Sequence, residues 1–146
     1  MQETVRQCGL YRDCLKTQRG YWRHIVGEGE AQDRGAWSTG NGWAAYGMVR
    51  VLHTLQGWSG SAHMTGEADQ LKSWIKEILD EAMRSNTDHG LLRNYLDDED
   101  SFGEIAGTAL LSAAAYRMAL NDPGMFPRDY IEWAKVNRRK LSTMAS

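Results

Sequence analysis

Five stretches of the chain carry apolar residues at helical spacing. Residues 3–17 set Val5, Cys8, Tyr11 and Leu15 on one stripe. Residues 67–85 do the same with Leu71, Ile75, Ile78 and Ala82, with Lys76/Asp80 and Asp80/Arg84 spaced as i,i+4 charge pairs on the other face. Residues 128–143 set Tyr130, Ile131, Ala134 and Leu141 against a basic face of Arg138, Arg139 and Lys140. The remaining two stretches, 42–56 and 104–120, are apolar on almost every side and rich in small residues such as Ala44, Ala45 and Gly47. A helix apolar all round must be buried all round, and its small residues let neighbouring backbones approach. Asp122-Pro123-Gly124 breaks the chain before the last helix. No segment alternates with period two. The strand-like pieces YWRHIV and LLRNYL each fall in a loop. The pattern predicts an all-α chain, folded as one domain over residues 1–146.

Amphipathic and wholly apolar helices take turns along the chain. Outer and inner helices of a toroid of α-hairpins require that order, with the two inner helices as neighbours. A weak repeat agrees: Gly20-Tyr21-Trp22-Arg23-His24-Ile25-Val26 aligns with Gly90-Leu91-Leu92-Arg93-Asn94-Tyr95-Leu96, seventy residues later. In each copy the segment follows an outer helix and precedes an inner one. The loops entering the inner helices then converge at one end of the toroid. Loop 18–41 brings Tyr21, Trp22, His24, Trp37 and Asn41 there, with Trp43 just inside the helix. Loop 86–103 brings Asp88, His89, Arg93, Asn94, Asp97, Asp98 and Asp100. Aromatic rings beside amides, imidazoles and carboxylates suit a carbohydrate, whose C–H faces stack on rings while its hydroxyls take planar polar partners.

Composition narrows the classes. With 42% apolar and 25% charged residues the chain is core-forming rather than disordered. Seventeen basic against nineteen acidic side chains give a net charge of −2, so no positive field draws a nucleic acid. No apolar run is long enough to span a membrane. The N-terminus MQETVRQCGLYRD lacks the apolar core of a signal peptide, and the compartment stays open. Cys8 and Cys14 stand six positions apart, about 9 Å along a helix and on different faces, and read as buried or half-buried thiols rather than a disulfide. No cysteine or histidine spacing suggests a metal site. Asn41 and Gly42 read as the cap of the helix that follows, Ser101 with Glu104 as a capping box, and Asp97–Asp100 as a solvated acidic turn.

Trp37-Ser38-Thr39-Gly40-Asn41-Gly42-Trp43-Ala44-Ala45, running into Met48-Val49-Arg50-Val51-Leu52, closely resembles a motif of the unsaturated glucuronyl and rhamnogalacturonyl hydrolases, glycoside hydrolase families 88 and 105. Upstream, Gly20-Tyr21-Trp22-Arg23-His24 is similar to the family's GLWxH segment. Downstream, Ser101-Phe102-Gly103-Glu104-Ile105-Ala106-Gly107-Thr108-Ala109 is similar to its SxxExSGTA segment, with Ala106 where Ser is commoner.

The resemblance implies a partial (α/α)6 barrel, whose full ring needs about 300 residues at roughly 25 per helix and loop. It implies a hydrolase without metal or organic cofactor, which hydrates the 4,5-double bond of a terminal unsaturated uronic acid in pectin-like oligosaccharides. In that chemistry one Asp serves as both general acid and base. The family's Asp-rich motif lies upstream of GLWxH, and nothing like it precedes Gln2, so the chain is expected to be an internal portion of the barrel without turnover of its own. The substrate-binding residues implied are His24, Trp37, Thr39, Asn41 and Trp43, with Thr39 standing where the family often has a uronate-holding Arg. Arg23 and Arg93 are the candidates to replace that guanidinium. The partner expected is an oligosaccharide, and the open barrel edges predict self-association. The rival reading is a truncated, non-catalytic hairpin remnant that binds sugar weakly or serves as an interaction module.

Overall fold

The computed structural model describes residues 1–144. It holds five α-helices: α1 Gln2–Leu15, α2 Ser38–Gly57, α3 Thr65–Arg84, α4 Ile105–Asn121 and α5 Arg128–Met144. The helices pack in the alternating order that the hydrophobic pattern predicts. The inner helices α2 and α4 lie side by side and share the broadest contact in the molecule, while α3 and α5 pack behind them and α1 closes against α3 and α2. No described helix is long and apolar enough to cross a membrane.

Close approach of α2 and α4 follows from their small residues. A Cβ added at Gly42 would stand 2.7 Å from the Cβ of Leu110. One added at Gly107 would stand 2.6 Å from the carbonyl carbon of Ser38, a backbone atom that no rotamer change can move. Ala45, Ala114 and Ala115 are fully buried in the same layer. Behind it, Leu71, Ile75, Ile78 and Leu79 of α3 meet Met48, Leu52, Leu111 and Met118, and Phe126, Tyr130 and Ala134 close the α5 side. Each large aliphatic side chain buried this way contributes about 1.5–3 kcal/mol. The charged faces of α3 and α5 stay outside, with Arg138 and Arg139 exposed.

Salt bridges on the outer layer fix α1. Arg12 grips both oxygens of Glu77, at 2.8 and 2.9–3.0 Å, and Lys16 adds a contact at 3.0 Å. Burial pushes the Glu77 carboxyl up, but the hydrogen bonds from Arg12 and Lys16 outweigh it and hold the group below its ordinary value. Of the two charge pairs expected on α3, Lys76–Asp80 forms at 2.8 Å. Asp80 is further engaged by the Tyr130 hydroxyl, and Arg84 turns to Glu81 instead.

The seventy-residue repeat is built into the backbone. Gly20 (φ +109°) and Gly90 (φ +82°) both take the left-handed conformation that a side chain resists. Two residues after each, a residue pairs back with the chain leaving the preceding outer helix: Trp22 with Lys16, and Leu92 with Thr87 in a two-residue antiparallel ladder, β1 Thr87–Asp88 and β2 Leu91–Leu92. Both pairing residues are then latched by the fourth residue of the next inner helix. The Trp22 N–H donates to Asn41 Oδ1 at 2.8 Å, and the Leu92 N–H donates to Thr108 Oγ1 at 2.9 Å.

Two expected caps form differently. Helix α2 starts at Ser38 with Trp37 before it and no side-chain cap, so Asn41 lies inside the helix rather than at its start. Helix α4 starts one residue later than expected and Glu104 is itself the cap, its carboxylate accepting from the Ala106 and Gly107 N–H groups at 2.7 and 2.5 Å. Ser101 turns instead to the Tyr95 backbone and the Asp98 carbonyl, so no capping box exists. Cys8 is half-buried, which pushes its thiol up, whereas Cys14 is exposed rather than buried.

Candidate functional site

The two loops entering the inner helices meet edge to edge. The Ser38 N–H donates to the Asn94 carbonyl (2.8 Å) and the Leu96 N–H to the Ala36 carbonyl (2.9 Å), flanking a bridge between Trp37 and Tyr95. Asp97 ties the same edge by accepting the Ala36 N–H at 2.8 Å.

This pairing gathers five side chains. Trp37 is half-buried, and its indole N–H donates to Asn94 Oδ1 at 3.2 Å. The His24 ring lies 4.5 Å from the Trp37 ring, tilted by 47°. His24 Nδ1 stands 2.8 Å from Asp33 Oδ2, and the Tyr95 hydroxyl donates to that same oxygen at 2.6 Å. The Gly35 N–H fills Oδ1 at 3.0 Å. The Tyr95 bond foremost, then the His24 bond, holds the Asp33 carboxyl below its ordinary range. The Tyr95 phenol is pushed up in turn, foremost because its proton makes the hydrogen bond to Asp33 and then because burial disfavours the phenolate. Backbone pairing of Ile25 with Asp33, at 2.7 and 3.2 Å, sets His24 beside its partner. Gly35 makes room for Tyr95, since a Cβ there would stand 2.5 Å from the phenol ring.

Asp33 and Tyr95 are not among the residues expected from the sequence. They come together only through a loop-to-loop pairing, which leaves no periodic trace. The Asp33-x-Gly35 spacing, with the carboxylate turned back onto the glycine N–H, is the one local signal.

The other expected residues have different surroundings. Asn41 is buried, at 1% exposure, and both N–H bonds of its amide go to backbone carbonyls, Trp22 at 2.8 Å and Trp37 at 3.0 Å. Thr39 is nearly buried and donates its hydroxyl to Glu104 at 2.8 Å. Trp43 is 61% exposed, and no ring contact among the described residues joins it to the His24–Trp37 pair. Tyr21 and Trp22, counted with the rim in the sequence, lie in the core instead. The Arg93 guanidinium donates to the Ser101 carbonyl. A cavity of about 730 Å³ lies away from this rim, between α2 and α4, where Tyr46, Arg50, His53, Arg117 and Leu120 line it.

No family model matches the chain, and no curated protein matches it either. Solved structures do. A possible member of glycoside hydrolase family 105 from Salmonella enterica serovar Paratyphi A superposes over 99% of this chain with a TM-score of 0.82 at 19% identity. A possible family 105 member from Klebsiella pneumoniae gives the same coverage and TM-score at 21% identity. The unsaturated glucuronyl hydrolase of a Bacillus species, responsible for the degradation of glycosaminoglycan, matches 93% of the chain with a TM-score of 0.68 at 17% identity. The chain has the fold of these proteins. It spans 37–38% of their length, so the all-α toroid of helical hairpins is present here in part. In this fold α2 and α4 are the inner helices, and the His24–Trp37 cluster lies at the end where the chain enters them.

Proposed function

We propose that the chain supplies the sugar-facing rim of a hydrolase that acts on the terminal unsaturated uronic acid of pectin-like oligosaccharides. One observation carries this reading: at the converged loops, His24 is packed on Trp37, and its Nε2 has no partner among the described residues. An indole beside an imidazole with a free nitrogen offers a sugar a stacking face and a polar contact. The exposed indole of Trp43 adds a second candidate platform. Asn41 supports the rim from behind by fixing the Trp22 and Trp37 backbones. Thr39 offers no charge, and its hydroxyl is committed to Glu104. The uronate is therefore selected weakly here, because a charge-assisted bond worth roughly 1.5–3 kcal/mol is missing.

In this reading the reaction is a hydration. A carboxyl group protonates C4 of the C4=C5 bond, and the resulting carboxylate takes a proton from the water that attacks C5. The hemiketal formed then opens and releases the remaining sugar. Such a group needs a pKa near the working pH. Asp33 is pushed the wrong way, and Glu104 already accepts from Ser38, Thr39, Ala106 and Gly107.

Those two carboxylates favour a second reading, in which these residues bind sugar without turning it over. Absorbance at the unsaturated-uronate band, followed with the purified chain and an unsaturated digalacturonate, separates the two. No loss of absorbance together with saturable quenching of tryptophan fluorescence is the result expected. Enzyme-dependent loss would overturn the binding-only reading and point to an exposed carboxyl such as Asp97 or Asp98. Absence of both signals would overturn the sugar reading itself.

A further inference from the structure

Asp33 lies outside every motif of the chain, yet its carboxylate engages His24, Tyr95 and the Gly35 N–H, and His24 is a candidate sugar contact. We propose that Asp33, seconded by Tyr95, is a positioning residue that holds His24 in the tautomer protonated at Nδ1 and so presents Nε2 as acceptor to a sugar hydroxyl. The hydroxyl half rests on the rim reading above; the tautomer half does not.

An ionised carboxylate only accepts hydrogen bonds. Its partner at 2.8 Å, His24 Nδ1, must therefore carry a proton. The neutral imidazole then has its lone pair on Nε2, which meets no protein donor among the described residues. Sugar hydroxyls are donors, and they complement that lone pair. The arrangement is held from several sides. The Gly35 N–H and the Tyr95 hydroxyl fix the carboxylate, backbone pairing of Ile25 with Asp33 sets the distance, and Trp37 covers the ring. A carboxylate behind an imidazole also makes the far nitrogen a better acceptor, as it does for metal-bound histidines. An imidazole without such a partner is free to exchange tautomers.

The test is long-range proton–nitrogen correlation spectroscopy on the chain at a pH above which its imidazole signals no longer change, with His24 assigned by its absence in His24→Gln. The unaltered chain should show His24 protonated at Nδ1 and bare at Nε2. Asp33→Asn, which keeps shape but can donate as well as accept, should give a mixture. Tyr95→Phe leaves the Asp33 acceptor in place and should keep the Nδ1–H form. A merely structural contact would not move these signals. An unaltered chain with Nε2–H, or an Asp33→Asn chain with the same tautomer as the parent, overturns the proposal. Titration with unsaturated digalacturonate tests the hydroxyl half. Asp33→Asn should weaken binding about tenfold, as should His24→Gln, and the double variant should lose no more. Equal affinity of Asp33→Asn and the parent overturns it. No binding by the parent removes the rim reading and the hydroxyl half with it, while the spectra still decide the Asp33–His24 relationship.

Discussion

Thr39 and Glu104, at the first turns of different inner helices, meet through a hydroxyl–carboxylate hydrogen bond of 2.8 Å across 65 residues of chain. Ser38 adds a second hydroxyl to the same oxygen at 3.1 Å. The carboxylate that caps α4 thus also ties down the start of α2. Glu104→Ala leaves two hydroxyls and two helix N–H groups without their acceptor. It should cost about 2–4 kcal/mol, read from the urea midpoint at unchanged slope. A loss below about 0.5 kcal/mol would show that the bridge carries no weight.

Gly107 and Gly47 give opposite signs for the same substitution. Gly107→Ala gains about 1 kcal/mol of helix propensity but drives a methyl group into the Ser38 backbone. The net effect should be a loss of about 1–3 kcal/mol. Gly47, in α2, has nothing within 4 Å of an added Cβ. Gly47→Ala should therefore stabilise by about 0.5–1 kcal/mol. Thermal melts of the two variants side by side check both; stabilisation by Gly107→Ala would contradict the close contact of α2 with α4.

The lowered Asp33 carboxyl sets a pH dependence. A carboxyl that is more acidic in the folded chain than in the unfolded one adds stability above its unfolded value, about 3.9. That stability is lost as pH falls through the folded value. The stability difference between the parent and Asp33→Asn should be constant near neutral pH and shrink as the solution becomes strongly acidic. A difference that grows on acidification would contradict the direction of the shift.

Large apolar side chains are exposed at the start of α2 and at both ends of α4. Trp43, Phe102, Ile105 and Leu120 are 61%, 64%, 54% and 77% exposed. The chain should self-associate, with a sedimentation coefficient that rises with concentration. Leu120→Glu should reduce that rise. A sharp monomer boundary at all concentrations would argue that these side chains do not form a sticky edge.

The helices were legible because the difference between amphipathic and all-apolar stretches is a difference in how many sides each helix must bury. Val5 on α1 and Leu71, Ile75 and Ile78 on α3 turn inward as their spacing requires. Helix starts were less legible. Asn41 has the chemistry of a cap and uses it on two loop carbonyls from within the helix, so side-chain type alone misplaced the boundary. At the rim, the convergence of the two loops followed from hairpin order. The Asp33–Tyr95 contact did not, since it depends on the register between Trp37 and Tyr95.

The latches at Asn41 and Thr108 grip main-chain N–H groups, which every residue but proline possesses. One latch uses an amide and the other a hydroxyl at the same helical position. The side chains of the loops they hold are thereby left out of the joint. The side chains of those loops can be exchanged while the ends of the inner helices stay in register.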